Sequence, residues 1–320
     1  MSLQHTIETS ELIDEFTVST QVRMFRREVQ RLVIKCTRRN VVGRSNATFS
    51  DAETTHFGYQ KVAKDAKKPL VESVFHRVAG RYDLMNDLMS CGVHRLWKDA
   101  FIKILHPIPP LRILDMAGGT GDIAFRIAER FSNYSVDKEC LSGSNTDGSA
   151  DSRIVVSDIN SSMLQVGKER ASSLFPDRAH LFDWVEADAE ELKPFGGNEF
   201  DVYTIAFGIR NVTDVNKALQ QAYRVLRPGG RFLCMEFSYV DNVILRSLYD
   251  MYSTNVIPLL GQMIAKDRES YQYLVESIRQ FPRQDEFKAM MQMVGFESIR
   301  HMNQLNGIVA IYSGFKPLDC

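Results

Sequence analysis

Residues 113–122 read Ile113-Leu114-Asp115-Met116-Ala117-Gly118-Gly119-Thr120-Gly121-Asp122, and their reading decides the fold. A short apolar strand, Arg112–Ala117, runs into a glycine turn, and a helical pattern follows over Gly121–Arg130. Glycines let a ligand approach the backbone, and the first N–H groups of a helix are left unpaired to meet it. From Gly119 the letters match GxGxxA, a dinucleotide fingerprint that is weak on its own. Asp122 at the helix start would repel a pyrophosphate, and Asp115 adds a second negative charge. Carboxylates flanking the turn suit a ligand with an ammonium, a sulfonium and no phosphate, which describes S-adenosylmethionine. Gly118, Gly119, Thr120 and Gly121 then form its cradle.

Outward from the turn, strands and helices alternate. Ile154–Ile159 is a strand, and Ser161–Ser172 a helix capped by Asn160 or Ser161. Trp184–Ala187 and Phe200–Phe207 are strands. Thr213 or Asp214 caps a helix that buries Ala218, Leu219, Ala222, Val225 and Leu226. Pro228-Gly229-Gly230 turns into a strand over Arg231–Phe237. Phe296–Met302 and Ile308–Phe315 form a hairpin about Asn306-Gly307. This alternation predicts an α/β fold with a mostly parallel sheet, helices on both faces and one antiparallel edge strand. Upstream, Val74–Met89 and Val93–Leu105 read as amphipathic helices. They make residues 57–110 an N-terminal helical cap on a sheet domain at 111–317.

Asp158 ends the second strand, placed to accept hydrogen bonds from both ribose hydroxyls, with Ile159 beside it. It lies 37 positions after Gly121, beyond the usual ~20. Residues 132–152, rich in Ser and poor in apolar side chains, read as a flexible 21-residue insertion whose removal leaves 37 − 21 = 16. Asp188, after the third strand, is placed to accept from an adenine amino group. Each acid taken singly is an ordinary turn residue; three at successive strand ends indicate a nucleoside site.

Composition excludes several classes. The 320 residues are 44 % hydrophobic and 25 % charged, with 39 basic and 40 acidic side chains, so bulk charge makes no case for nucleic acid. The longest uncharged run, Met251–Ala265, falls short of the ~20 residues a membrane span needs. Five cysteines without a CxxC pair point to a reducing compartment, and neither they nor the seven histidines suggest a metal site. Residues 1–56 read as a leader. Acids dominate residues 1–20; Arg23, Arg26, Arg27, Arg31, Lys35, Arg38, Arg39 and Arg44 then face the single acid Glu28. A basic amphipathic helix followed by Ser, Asn and Thr reads as a mitochondrial transit peptide, starting at Met24 or preceded by an extension. A basic surface tail is the alternative.

The run Tyr82-Asp83-Leu84-Met85-Asn86-Asp87-Leu88-Met89-Ser90-Cys91-Gly92-Val93-His94-Arg95-Leu96-Trp97-Lys98 resembles the N-terminal signature of the ubiquinone/menaquinone C-methyltransferases. Ala117–Asp122, Asp158–Asn160, Ala187–Ala189, Ala206–Asn211, Arg224–Gly230, Glu236–Ser238 and Ser270–Arg279 also fit, over about residues 70–316. The resemblance implies a class I methyltransferase fold with a seven-stranded sheet. It implies S-adenosylmethionine as methyl donor, touched by Thr120, Asp158, Asp188 and Ala189, and a polyprenyl benzoquinol lipid as acceptor. With the leader, it implies the mitochondrial branch: a peripheral enzyme on the matrix face of the inner membrane, assembled with other ubiquinone-pathway enzymes. Met116, where the family often has Val or Leu, and the 132–152 insertion are the departures.

Methylating an aromatic carbon requires electron density on that carbon, which a phenolate supplies. Arg210 and Asn211 follow the fourth strand, at the carboxyl edge of the sheet. Arg210 cannot act as a conventional base, but its charge stabilises a phenolate or hydroxide; the resemblance implies a catalytic role for it. The bland reading pairs it with a neighbouring acid. Asn211 can orient a ring oxygen. Tyr82 and His94 can close over the donor, and His94 has a base's pKa range, although a capping or core role serves it equally. Trp97 reads as core rather than as a stacking platform. Met251–Ala265 is a candidate wall for the lipid tail, a homodimer surface, or plain core. Three competitors stand beside the quinol methylase: a nicotinamide-dependent oxidoreductase, a catalytically idle scaffold with this fold, and a menaquinone methylase, which the leader disfavours.

Overall fold

The computed structural model describes residues 54–78, 86–87, 90, 92–142, 152–262 and 268–319. Strands β1 (Thr54–Phe57) and β2 (Gln60–Ala63) form a small antiparallel hairpin, followed by helix α1 (Lys64–Val78). Helix α1 thus starts ten residues before the expected Val74, and Thr54–His56, read as the end of the leader, are already in a strand. The rest of the leader lies outside the described residues, as do Tyr82 and Asp83. Helix α2 (Val93–Leu105) sits where its period predicts and buries Val93, Trp97, Phe101 and Leu105.

Seven strands make the main sheet: β3 (Arg112–Met116), β4 (Arg153–Asp158), β5 (Phe182–Glu186), β6 (Phe200–Ala206), β7 (Leu226–Phe237), β8 (Glu297–Gln304) and β9 (Val309–Phe315). Their order is β5-β4-β3-β6-β7-β9-β8. The first five are mutually parallel, while β9 runs antiparallel to both neighbours. The antiparallel hairpin expected at the edge of the sheet is there, with β8 outermost and β9 between it and β7. The hairpin pattern marks two strands but not which of them reaches β7. The Pro228-Gly229-Gly230 turn is a bulge inside β7, where the register with β6 shifts.

Alternate residues of the central strands enter opposite cores, the signature of a sheet covered on both faces. Ile113, Ile154 and Val156 join Phe101, Ile127 and Phe131 from α2 and helix α3 (Asp122–Ser142). Leu114, Val155 and Tyr203 join Leu219 of helix α5 (Val215–Val225) and Phe287 of helix α9 (Gln284–Val294). Helix α4 (Ser161–Leu174) is capped by Asn160, whose side chain accepts from Met163 N–H; Asp214 caps α5 through Asn216 and Lys217. Helix α3 does not stop at Arg130. It continues to Ser142, so residues 132–142 of the expected insertion are helical, and 143–151 lie outside the described residues. Helices α6 (Val243–Asn255), α7 (Ile257–Leu260) and α8 (Arg268–Gln280) lie between β7 and α9 in the chain. No helix among the described residues is long and apolar enough to cross a membrane.

Strand order reverses at β3 and β6: from β3 the chain moves to β4 and β5 on one side, from β6 to β7 on the other. Loops leaving the carboxyl ends of two such strands diverge and open a crevice. The glycine turn leaves β3 there, and Phe207–Asn211 leaves β6.

Candidate active site

The glycine turn is built for close approach. Ala117, Gly119 and Gly121 all have positive φ, of 53°, 54° and 86°. A Cβ on Gly118 would stand 2.7 Å from Val156 Cγ1, and one on Gly121 2.8 Å from Phe125 and Trp184, so side chains are excluded from both. Gly118 N–H donates to Ser157 O, which ties the turn to β4. Thr120 Oγ1 accepts from Arg170 at 2.9 Å.

Asp158 holds the far side of the turn. Its Oδ2 accepts from Gly119 N–H at 3.0 Å and its Oδ1 from Asn160 N–H at 2.9 Å, which fixes the carboxylate and leaves lone pairs toward the crevice. Burial pushes its pKa up against the pull of those N–H groups. Asp115 is buried below the turn. Thr204 donates to its Oδ1 at 2.7 Å, and its Oδ2 has no hydrogen-bond partner among the described residues. Burial pushes this carboxyl up to about 7, against hydrogen bonds from Thr204 and Ala124.

Two acids have cations the sequence did not reveal. Lys68 of α1 reaches Asp188 at 3.0 Å. Asp122 meets Lys98 at 2.5 Å and Arg126 at 3.1 Å, which hold its pKa down although burial opposes them. The repulsion argued from Asp122 against a pyrophosphate is therefore weaker than the bare sequence suggests.

Arg210, after β6, is paired. Its Nη1 donates to Glu236 Oε1 at 2.8 Å and to Phe207 O, and its guanidinium lies over the Phe237 ring at 5.4 Å. Burial raises the pKa of Glu236 and Arg210 lowers it. The pairing reading of Arg210 is thus correct as geometry, yet the side chain also lines the cavity. Asn211 donates through Nδ2 to Phe207 O at 3.4 Å and accepts at Oδ1 from Tyr273 at 3.1 Å. His94 Nε2 faces Asp87 Oδ1 at 2.8 Å, and its Nδ1 is buried without a partner among the described residues. Burial and then Lys98 lower its pKa against the raising effect of Asp87.

One cavity joins these groups. Asp115, Gly118, Gly119, Thr120, Asp158, Ile159, Asp188, Ala189, His94, Arg210 and Asn211 all line it. Gly121 supports the turn from behind and does not line the cavity, and Tyr82 lies outside the described residues. Trp97 is buried against Phe207 and Phe237 and also edges the cavity. Of the apolar run at 251–265, Tyr252 and Ile257 reach the cavity, while Val256 is core. Sequence reasoning missed Lys67, Lys68, Glu190, Tyr249 and Tyr273. Glu236 carried a signal: a lone acid in the apolar strand Phe232–Phe237.

The sequence profile of the ubiE/COQ5 methyltransferase family matches residues 60–316. The chain belongs to that family. The rice protein named 2-methoxy-6-polyprenyl-1,4-benzoquinol methylase, mitochondrial, is 52 % identical over 85 % of this chain and 91 % of its own length. Proteins of the same name from Xenopus laevis and human are 49 % and 50 % identical, over 88 % and 83 % of this chain and 96 % and 85 % of theirs. Among solved structures, an S-adenosylmethionine-dependent methyltransferase of Thermotoga maritima covers 76 % of this chain and 99 % of its own at TM-score 0.48 and 17 % identity, too loose a likeness to inform the site. As a ubiE/COQ5 methyltransferase, the protein uses S-adenosylmethionine, and the nicotinamide reading of GxGxxA falls. The cavity fits that donor: it has an unpartnered buried carboxylate oxygen on Asp115, a turn with no room for side chains, and a strand-end carboxylate at Asp158. Among the described residues, no group of three or more His, Cys, Asp or Glu is placed to hold a metal ion.

Proposed function

We propose that this protein methylates a ring carbon of 2-methoxy-6-polyprenyl-1,4-benzoquinol in ubiquinone synthesis, using S-adenosylmethionine. The observation that carries the reading is that Arg210, Asn211 and the glycine turn line one cavity, in a protein about half identical to relatives bearing that substrate's name. Those relatives are named mitochondrial, which supports the same compartment here and favours the benzoquinol over a menaquinone precursor. The matrix face of the inner membrane, held peripherally among other enzymes of the pathway, is the accompanying placement.

When bound, the donor supplies an electrophilic methyl group on a sulfonium. Asp158 holds the ribose hydroxyls, Asp188 and Ala189 the adenine side, and the turn at Gly118–Gly121 the remainder. Asp115 lends a buried negative charge below them. Arg210 fixes a ring oxygen and favours its phenolate form, which raises electron density on the ring carbon. Asn211 supplies one amide N–H to a ring oxygen. Replacing a ring hydrogen by methyl releases one proton per turnover. His94, with Nε2 toward Asp87 and an Nδ1 that has no partner among the described residues, is the acceptor we assign. The tyrosines of α6 and α8 exclude water from the ring.

Turnover of methyl-labelled S-adenosylmethionine with a short-tailed quinol under reducing conditions tests the reading. Label enters the ring with the wild-type protein. Asp158→Ala loses donor binding by calorimetry, whereas Arg210→Lys binds the donor and turns over at least 10-fold more slowly, the usual scale for a lost charge-stabilising contact. Normal ubiquinone content in cells carrying only Arg210→Ala would instead indicate the idle scaffold.

A further inference from the structure

Within the segment Ser270-Tyr271-Gln272-Tyr273-Leu274-Val275-Glu276-Ser277-Ile278-Arg279, the side chains of Tyr273, Glu276 and Arg279 converge on one feature. Glu276 Oε2 accepts from Tyr59 N–H at 3.0 Å, and Arg279 donates to the Tyr59 hydroxyl at 3.1 Å. Tyr273 stacks on Phe57 with ring centroids 4.3 Å apart and planes 17° from parallel. All three therefore grip the turn of the β1–β2 hairpin. Gly58, at the tip, has φ of 58°, and a Cβ there would lie 2.2 Å from Glu276 Oε2, so the grip requires glycine.

The hairpin and α1 in turn hold the loop after β6. Thr55 Oγ1 donates to Thr213 O at 3.2 Å, and Lys67 Nζ to Val212 O at 2.6 Å. The Tyr273 ring, 5 % exposed, packs with Val71 and Val74 of α1. Its hydroxyl donates to Asn211 Oδ1.

We infer that Tyr273 is a positioning residue that the N-terminal hairpin sets through Phe57, and that it fixes which face of the Asn211 amide meets the substrate. An amide has two donors and two acceptor lone pairs. With Oδ1 held by Tyr273 and one Nδ2 hydrogen directed to Phe207 O, only one N–H remains for a ring oxygen. Without the Tyr273 hydroxyl the amide can turn over and present its carbonyl, which repels a phenolate. The inference rests on the methyl-transfer reading of the site.

Tyr273→Phe keeps the ring and its stacking and removes only the hydroxyl. Its kcat with the short-tailed quinol falls about 3- to 10-fold, the worth of one neutral hydrogen bond, with donor KM and melting temperature unchanged. In an Asn211→Ala background the same substitution shifts kcat by less than about 2-fold. Gly58→Ala, which displaces the hairpin from outside the cavity, lowers kcat in the wild-type background and not in Asn211→Ala. Equal losses in both backgrounds, an unchanged kcat in Tyr273→Phe, or a donor KM that moves with kcat would each overturn the inference. A wild-type protein that leaves the quinol unmethylated ends the functional reading with it; normal wild-type turnover with uncoupled variants ends this inference alone.

Discussion

Arg210 places a full positive charge, 4 % exposed, against a Glu236 side chain with no exposure. Two charges so far from water are costly unless each answers the other. Glu236→Gln leaves the guanidinium uncompensated, and we expect a loss of roughly 3–5 kcal/mol in urea unfolding, with donor affinity per folded molecule unchanged. Asp115 makes the opposite kind of prediction. Its folded pKa, about 7, lies above the ordinary 3.8. Between those values the folded protein holds the extra proton, so this group's contribution to stability is full at low pH and declines as pH rises through about 7. Asp115→Asn removes that decline from the thermal midpoint measured between pH 4 and 8. Because a cationic donor favours the ionised carboxylate, donor binding near pH 6 releases a proton in the wild type, read as a buffer-dependent enthalpy by calorimetry. At this scale the sequence was legible wherever a residue sits next to its own strand end, as with Asp158 and the glycine turn, which both reach the cavity. The partners were not legible: Glu236 lies 26 positions from Arg210 and Asp188 lies 120 from Lys68. Nothing local encodes such pairs; the sheet brings them together.

Helices and strands were legible by period and punctuation, and their ends less so. Helix α5 buries Ala218, Leu219, Ala222 and Val225, as the spacing predicts, and starts at Asp214, one of the two expected caps, whereas Leu226, expected on the same helical face, is already the first residue of β7. We expect Asp214→Ala to cost about 1 kcal/mol of stability, the worth of an N-cap, measured by urea unfolding. Helix α3 outran its expected end because Ser, Asp and Lys interrupt an apolar pattern without breaking a helix, and no glycine or proline falls between Arg130 and Ser142. Helix α1 was placed late for a related reason. Its first turns are rich in lysine, and Pro69 sits inside it, where a proline ordinarily marks a boundary. Those lysines turn out to matter: Lys67 is buried, its pKa lowered to about 8 by desolvation, and its ammonium holds the loop after β6. Lys67→Met keeps the stem and loses that hydrogen bond. The expected outcome is a kcat lowered by a few-fold with little change in melting temperature.

Across the whole molecule, the alternation of strand and helix was enough to predict a parallel sheet covered on both faces. It was not enough to order the last two strands. The consequence of that order is one of timing. Because β9 separates β7 from β8, the strand that joins β8 to the sheet is made after β8 itself. Until residues 309–315 have been made, β7 keeps an open edge and β8 has nothing to pair with, and such edges recruit wrong partners. Lys316 then closes the arrangement by donating to Asn198, Tyr223 O and Leu226 O. A protein ending at Asn306 should therefore show no cooperative unfolding transition, although it retains the entire glycine turn, Asp158 and Arg210. A nascent chain halted before residue 309 thus carries the proposed donor-binding and catalytic groups on a sheet that is still open.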